Sequence, residues 1–252
     1  MWSKDLEAAE FEPARWSDFE SLFRKYHGVQ AGCWCMFYHR EGSVGPLSSP
    51  ARADANRRDH LVLLRRGRAN GILVYRMGEP IGWCQFGRRD DLPRVERGRK
   101  YKAISRSLGS PPDRRITCFF VDRPHRRSGV ARFALHRALD SISRLGGGIV
   151  EAYPTTHHNA VAIWFGTVGM FEREGFHVIR PFGRSNVLVR RTIRAQRGPR
   201  AAGPFPHRVD GGSGPRPLVA IATGRPAGAL SVPSVVLSSS TDPRDSARPR
   251  SS

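Results

Sequence analysis

The sequence predicts one α/β domain around a mixed β-sheet, and three observations predict it. Residues 116–121 (ITCFFV) form a β-rich run with no polar side chain after Thr117, and Asp122, Pro124 and Arg126 end it in a turn. Beyond the turn, Ala131, Ala134, Leu135, Ala138, Ile142 and Leu145 recur at helical spacing, with Arg132, His136, Arg137 and Asp140 between them and Gly146 as the stop. Upstream, residues 71–77 and 81–86 read as two strands joined through Gly78, Glu79 and Pro80, a hairpin. The remaining elements follow in order. Arg65, Arg66 and Arg68 read as the solvated end of a helix, cations favouring its C-terminus. Residues 148–153 form a short apolar strand after the long helix, and residues 187–193 a last one.

The loop between strand and helix carries the chemistry. Residues 122–131 read DRPHRRSGVA. The first turn of a helix leaves main-chain N–H groups without intrahelical partners, which favours an anion there. Gly129 has no Cβ to hold such an anion away, so residues 126–131 can wrap a diphosphate with main-chain donors, and Arg126 and Arg127 add formal charge. A triphosphatase P-loop would need a lysine after its glycine run. Lys4, Lys25, Lys100 and Lys102 do not follow one.

The spacing Arg126-x-x-Gly129-x-Ala131 after a buried strand resembles motif A of the GNAT superfamily of acetyl-CoA-dependent N-acetyltransferases. The preceding hairpin fits that family's order, and residues 170–176 (MFEREGF) resemble its motif B, where a helix ends at Gly-Phe and a strand follows. The resemblance implies a GNAT-like mixed, mostly antiparallel sheet flanked by helices, acetyl-CoA as acyl donor, and a primary amine of an unidentified acceptor as partner. It also implies site residues. Arg126, Arg127, Ser128, Gly129, Val130 and Ala131 would hold the diphosphate. The main chain of Phe119, Phe120 and Val121, on a strand that parts from its neighbour, would pair with the pantetheine arm.

Acyl transfer needs a neutral amine, a donor to the developing oxyanion and a proton for the leaving thiolate. Glu151, on the neighbouring strand, is the candidate general base, directly or through a water. Its alternative role is to anchor an Arg or the acceptor amine. Phe171 stands where many members of the family carry a tyrosine, so the acid step falls to water, Tyr153, Thr167 or another hydroxyl. His125 lies in the phosphate loop, facing phosphate or solvent. The pair His157 and His158 reads as part of a solvated loop and not as a metal site. Trp34, Phe37, Tyr38, Trp83 and Phe86 fall in segments that border the acceptor cleft in this fold, or pack in the core.

Composition bounds the rest. At 252 residues and 39% hydrophobic content the chain can bury one sizeable core. The domain is expected over residues 1–194; residues 195–252, rich in Gly, Pro, Ser, Ala and Arg without a sustained period, read as a disordered tail. The first ten residues carry acids where a signal peptide needs a basic and then apolar run, which predicts a cytoplasmic protein. Cys33, Cys35, Cys84 and Cys118 fit that compartment, and the pair around Trp34 reads as packing under a helix; no metal site is expected. The net charge of +20 invites a nucleic-acid partner. Arginine predominates over lysine throughout and the Arg pairs lack interleaved aromatic platforms, which argues against that partner. Two other classes remain as alternatives: a CoA-binding or partner-binding protein without turnover, and a basic nucleic-acid-associated protein.

Overall fold

The computed structural model describes residues 5–41, 49–156 and 162–196. In chain order these form β1 (Leu6–Glu10), α1 (Trp16–Arg24), α2 (Pro50–Arg65), β2 (Asn70–Arg76), β3 (Glu79–Arg88), α3 (Arg94–Arg97), α4 (Arg99–Ser105), β4 (Arg114–Val121), α5 (Val130–Arg144), β5 (Gly148–Ala152), α6 (Ala162–Phe165), α7 (Val168–Glu172), β6 (His177–Pro181) and β7 (Val187–Ile193). The tail from residue 197 and the pair His157 and His158 lie outside the described residues. The seven strands make one open sheet in the order β1-β2-β3-β4-β5-β7-β6. Its pairs are antiparallel except β4 with β5. The sheet is thus mixed and mostly antiparallel, with helices on both faces.

Side-chain alternation divides the core. Along β2, Ile72 and Val74 face one way and join Cys84, Ile116, Phe119 and the apolar stripe of α5, from Val130 to Ile142. Leu73 and Tyr75 face the other way, with Trp83, Phe120 and the α1 residues Phe19, Leu22 and Phe23. Strands buried on both faces read as continuous apolar runs, which is why the central strands were visible in the sequence. Gly82 fixes how closely α5 approaches: a Cβ there would fall 2.5 Å from Val130 Cγ1. The start of α5 is therefore seated directly on β3.

The parallel pair is short. β4 meets β5 only over Arg114–Val150, Arg115–Glu151 and Ile116–Ala152. At that point Phe86 of β3 pairs with Ile116 while Gln85 pairs with Cys118, so Thr117 is an extra residue that bends β4. From Thr117 onward the strands part. Thr155, past the end of β5, instead donates its N–H to Gly166 O at 3.1 Å.

Candidate active site

The parting of β4 from β5 opens a cleft of about 580 Å³, lined by Phe119 and Val121 of β4, Arg126, Arg127, Gly129, Val130 and Ala131 of the basic loop, and Gly166, Thr167, Met170 and Arg173 opposite. At one end lies the loop. Gly129 is the N-cap of α5 in the left-handed region (φ 85°), and Arg127 shares that region (φ 62°). A Cβ on Gly129 would meet nothing within 4 Å, so glycine is set here by backbone angle and its vacant side faces the cleft. Among the described residues, the main-chain N–H groups of Arg127, Ser128, Gly129, Val130 and Ala131 make no well-formed hydrogen bond to a main-chain acceptor. The Ser128 hydroxyl is turned away, donating to His125 O at 2.6 Å. Arg126 Nε donates to Val121 O at 3.1 Å, tying the loop to the strand end. His125 lines the same cleft with Nδ1 3.1 Å from Arg76 Nη1.

A second cavity, of about 240 Å³, lies on the other side of β4. Gln30, Cys33, Phe37, Tyr38, Thr117, Cys118, Trp164 and Phe165 line it. The two cavities share walls. Residues of β4 line each of them, Thr117 at the bulge and Cys118 here, Phe119 and Val121 there, and consecutive residues 164–167 change from one to the other. Trp164 stacks on Phe120 with ring centroids 6.0 Å apart. Of the five aromatic residues that the sequence left between core and cleft, Trp34, Trp83 and Phe86 are buried in the core, while Phe37 and Tyr38 line this cavity. All four cysteines are free thiols. Trp83 Nε1 donates to Cys35 Sγ at 2.9 Å, and burial raises the Cys33 thiol to about 12, which disfavours the thiolate at both Cys33 and Cys35.

The family model described as the acetyltransferase (GNAT) family matches residues 34–176, more than half of the chain. The chain belongs to the GNAT acetyltransferase family. No curated protein matches it as a sequence relative. Solved structures similar to the GNAT chain include an N-acetyltransferase from Staphylococcus aureus (12% identity, TM-score 0.43, 77% of this chain and 100% of that one). Another is the ribosomal-protein-S18-alanine N-acetyltransferase from Escherichia coli (13%, 0.41, 77% and 96%). A third is an N-acetyltransferase from Thermoplasma acidophilum in complex with coenzyme A (10%, 0.43, 74% and 98%).

The other GNAT candidates divide between the cleft and the sheet. Glu151 lines neither cavity. It is 0% exposed at the centre of a cross-strand row, Arg115 on β4, Glu151 on β5 and Arg190 on β7. Arg190 reaches Glu151 Oε1 through Nε at 2.7 Å and Nη2 at 2.5 Å. Tyr153 and Tyr101 donate their hydroxyls to Oε2 at 2.8 and 3.1 Å, and Arg115 Nε lies 3.6 Å from the same oxygen. Burial works against charge on Arg115, but Tyr153 and its bond to Glu96 outweigh it and raise its pKa. The Tyr153 hydroxyl is bound on both sides, accepting from Arg115 Nε at 2.9 Å, and burial raises its pKa well above the ordinary phenol value. Phe171 is a core residue, edge-on to Phe119 and Phe176. Thr167 alone of the named hydroxyls lines the larger cleft; it caps α7 by accepting from Met170 N at 3.3 Å, which leaves its proton free for another acceptor.

The residues missed by sequence reasoning are Arg115, Arg190 and Tyr101. A buried arginine carries no signal in an apolar pattern, and its partners lie far along the chain. Thr117 was legible as a residue but not as a bulge.

Proposed function

We propose that the chain transfers an acetyl group from acetyl-CoA to a primary amine, with the donor in the cleft beside α5 and the acceptor in the cavity across β4. Acetyl-CoA supplies an acyl thioester, already activated for attack. The observation that carries the reading is the row of main-chain N–H groups from Arg127 to Ala131 at the start of α5, which among the described residues make no well-formed main-chain hydrogen bond, beside a cleft that runs along Phe119 and Val121 to Thr167. Those donors suit a diphosphate, and Arg126 and Arg127 add charge. Among the described residues, the side of β4 that faces away from β3 has no strand partner beyond Ile116, which leaves its main chain to pair with the pantetheine amides. Main-chain N–H groups on that side are also the available donors to the carbonyl oxygen as charge develops there. The Thr167 hydroxyl, its proton uncommitted, is the donor that fits a leaving thiolate.

Glu151, in this reading, is the anchor and not the base. A carboxylate already bound by Arg190, Tyr101 and Tyr153 has no lone pair aimed at either cavity and holds β4, β5 and β7 in register at the point where the sheet opens. No Asp or Glu lines either cavity among the described residues, so the acceptor's proton passes to water. The test is a melting curve of the full chain with and without acetyl-CoA. Ligand at 100 times its Kd contributes about 2.7 kcal/mol, roughly 5–11 °C for a domain of this size. An unchanged melt at millimolar acetyl-CoA refutes the donor site.

A further inference from the structure

The acceptor cavity itself has a chemistry, and it rests on the reading of the second cavity as the amine site. Four of its lining residues are aromatic: Phe37, Tyr38, Trp164 and Phe165. Phe37 and Tyr38 meet edge to face with centroids 5.0 Å apart, so the wall offers both ring faces and ring edges. The remaining described lining residues are Gln30, Cys33, Thr117 and Cys118, with no Asp, Glu, Lys or Arg among them, and burial keeps the Cys33 thiol protonated. The charge that does stand nearby is positive. The Arg94 guanidinium sits 4.5 Å from the centroid of Phe37 and donates through Nε to Phe37 O at 2.5 Å. A cationic acceptor tail would be drawn out of water against that charge without a compensating carboxylate in the lining.

Size and polarity agree. An apolar cavity of about 150 Å³ is enough to take benzene, so about 240 Å³ accommodates one aromatic ring with a short alkyl arm. The arm has a polar guide at the β4 end. Thr117 Oγ1 donates to Gln85 Oε1 at 2.9 Å, and Gln85 Nε2 is held by Cys35 O at 2.7 Å. With its proton committed, the Thr117 oxygen is left to accept an N–H from the incoming amine, beside the bulge where the sheet begins to open.

We infer that the acceptor is a small primary amine bearing an uncharged aromatic ring, the ring packed among Phe37, Tyr38, Trp164 and Phe165 and the nitrogen held at Thr117.

The experiment measures thiol release from acetyl-CoA by the full chain with 2-phenylethylamine, hexylamine and spermidine, together with the melting shift from acetyl-CoA alone. Phenylethylamine should exceed hexylamine in kcat/KM by roughly 10-fold, the scale of aromatic pairing, and spermidine should be the poorest. Phe37→Ala should raise KM for phenylethylamine several-fold while leaving the acetyl-CoA shift unchanged; Phe37 is 38% exposed, so its loss spares the core. A second readout is calorimetric binding of phenylethylamine without acetyl-CoA, weakened by the same substitution. If acetyl-CoA stabilises the protein but hexylamine or spermidine is the better acceptor, or phenylethylamine is not acetylated, this inference is overturned and the donor site stands. If acetyl-CoA itself does not bind, the reading of the whole site fails and this inference with it.

Discussion

Replacing Glu151 by glutamine separates an anchor from a base more sharply than any other change. The two side chains have the same shape, but the amide carries one acceptor oxygen where the carboxylate has two. In one orientation its NH2 faces the Arg190 nitrogens now at 2.5 and 2.7 Å; in the other it faces the two tyrosine hydroxyls at 2.8 and 3.1 Å. In the first orientation donor meets donor; in the second the tyrosine hydroxyls must turn to accept and lose the acceptor they had, and in both two guanidinium groups lose their shared anion, although Arg115 keeps Glu96 at 2.7 Å. Breaking a buried ion pair costs about 3–5 kcal/mol, which for a domain of this size lowers Tm by roughly 6–20 °C. The assay is a thermal melt of Glu151→Gln, followed by kcat with saturating acetyl-CoA at a temperature where the variant is folded. The anchor role predicts the large drop in Tm and a kcat within a few-fold of the original. A base predicts the reverse, an unchanged melt with kcat down by roughly 10²-fold or more. That second outcome would refute the reasoning.

Gly129→Glu should abolish the melting shift given by acetyl-CoA, because it projects a carboxylate into the open side of the loop; Gly129→Ala, which meets no neighbour, should cost about 1–2 kcal/mol for its left-handed backbone and keep the shift. Retention of the shift in Gly129→Glu would mean that no anion sits there. Acid should destabilise the fold through His39 and His60. Burial lowers His39 from 6.5 to about 4, partly opposed by its bond to Asp91 O, and burial with His39 nearby lowers His60 as well. The unfolded chain then binds protons that the folded chain does not, so stability is complete above about pH 6.5 and declines as pH falls towards 4. The His39 contribution alone reaches about 3 kcal/mol by pH 4. Urea midpoints at pH 7.5 and 4.5, compared with His39→Gln, check this; equal pH dependence in the two proteins would contradict it.

What the sequence disclosed follows burial. β7 coincides residue for residue with the expected run, and α5 differs by one residue at each end, because both show their period to the solvent or the core without interruption. The hairpin and β4 were visible for the same reason, but β4 begins two residues earlier than its apolar run, at Arg114. Arg115 lies inside the sheet, where charge and burial disagree, and only its cross-strand neighbours Glu151 and Arg190 explain it. β1 was not anticipated. Its sequence, LEAAE, has neither strand propensity nor a clear alternation, and it is held by pairing along β2. The loop before α5 was readable as a glycine turn opening a helix because its demands are local: a backbone angle at Gly129 and a helix start. The contacts of Glu151 were not, since Arg115 and Arg190 come from strands distant in the chain.

The central claim is that the amides opening α5 receive the donor's diphosphate. An ¹⁵N–¹H spectrum of the full chain, titrated with acetyl-CoA, tests it most directly. The account predicts saturating shifts for the backbone amides of residues 127–131 and of Phe119 and Val121. Saturable binding that leaves residues 127–131 unmoved, with its shifts clustered elsewhere, would contradict it.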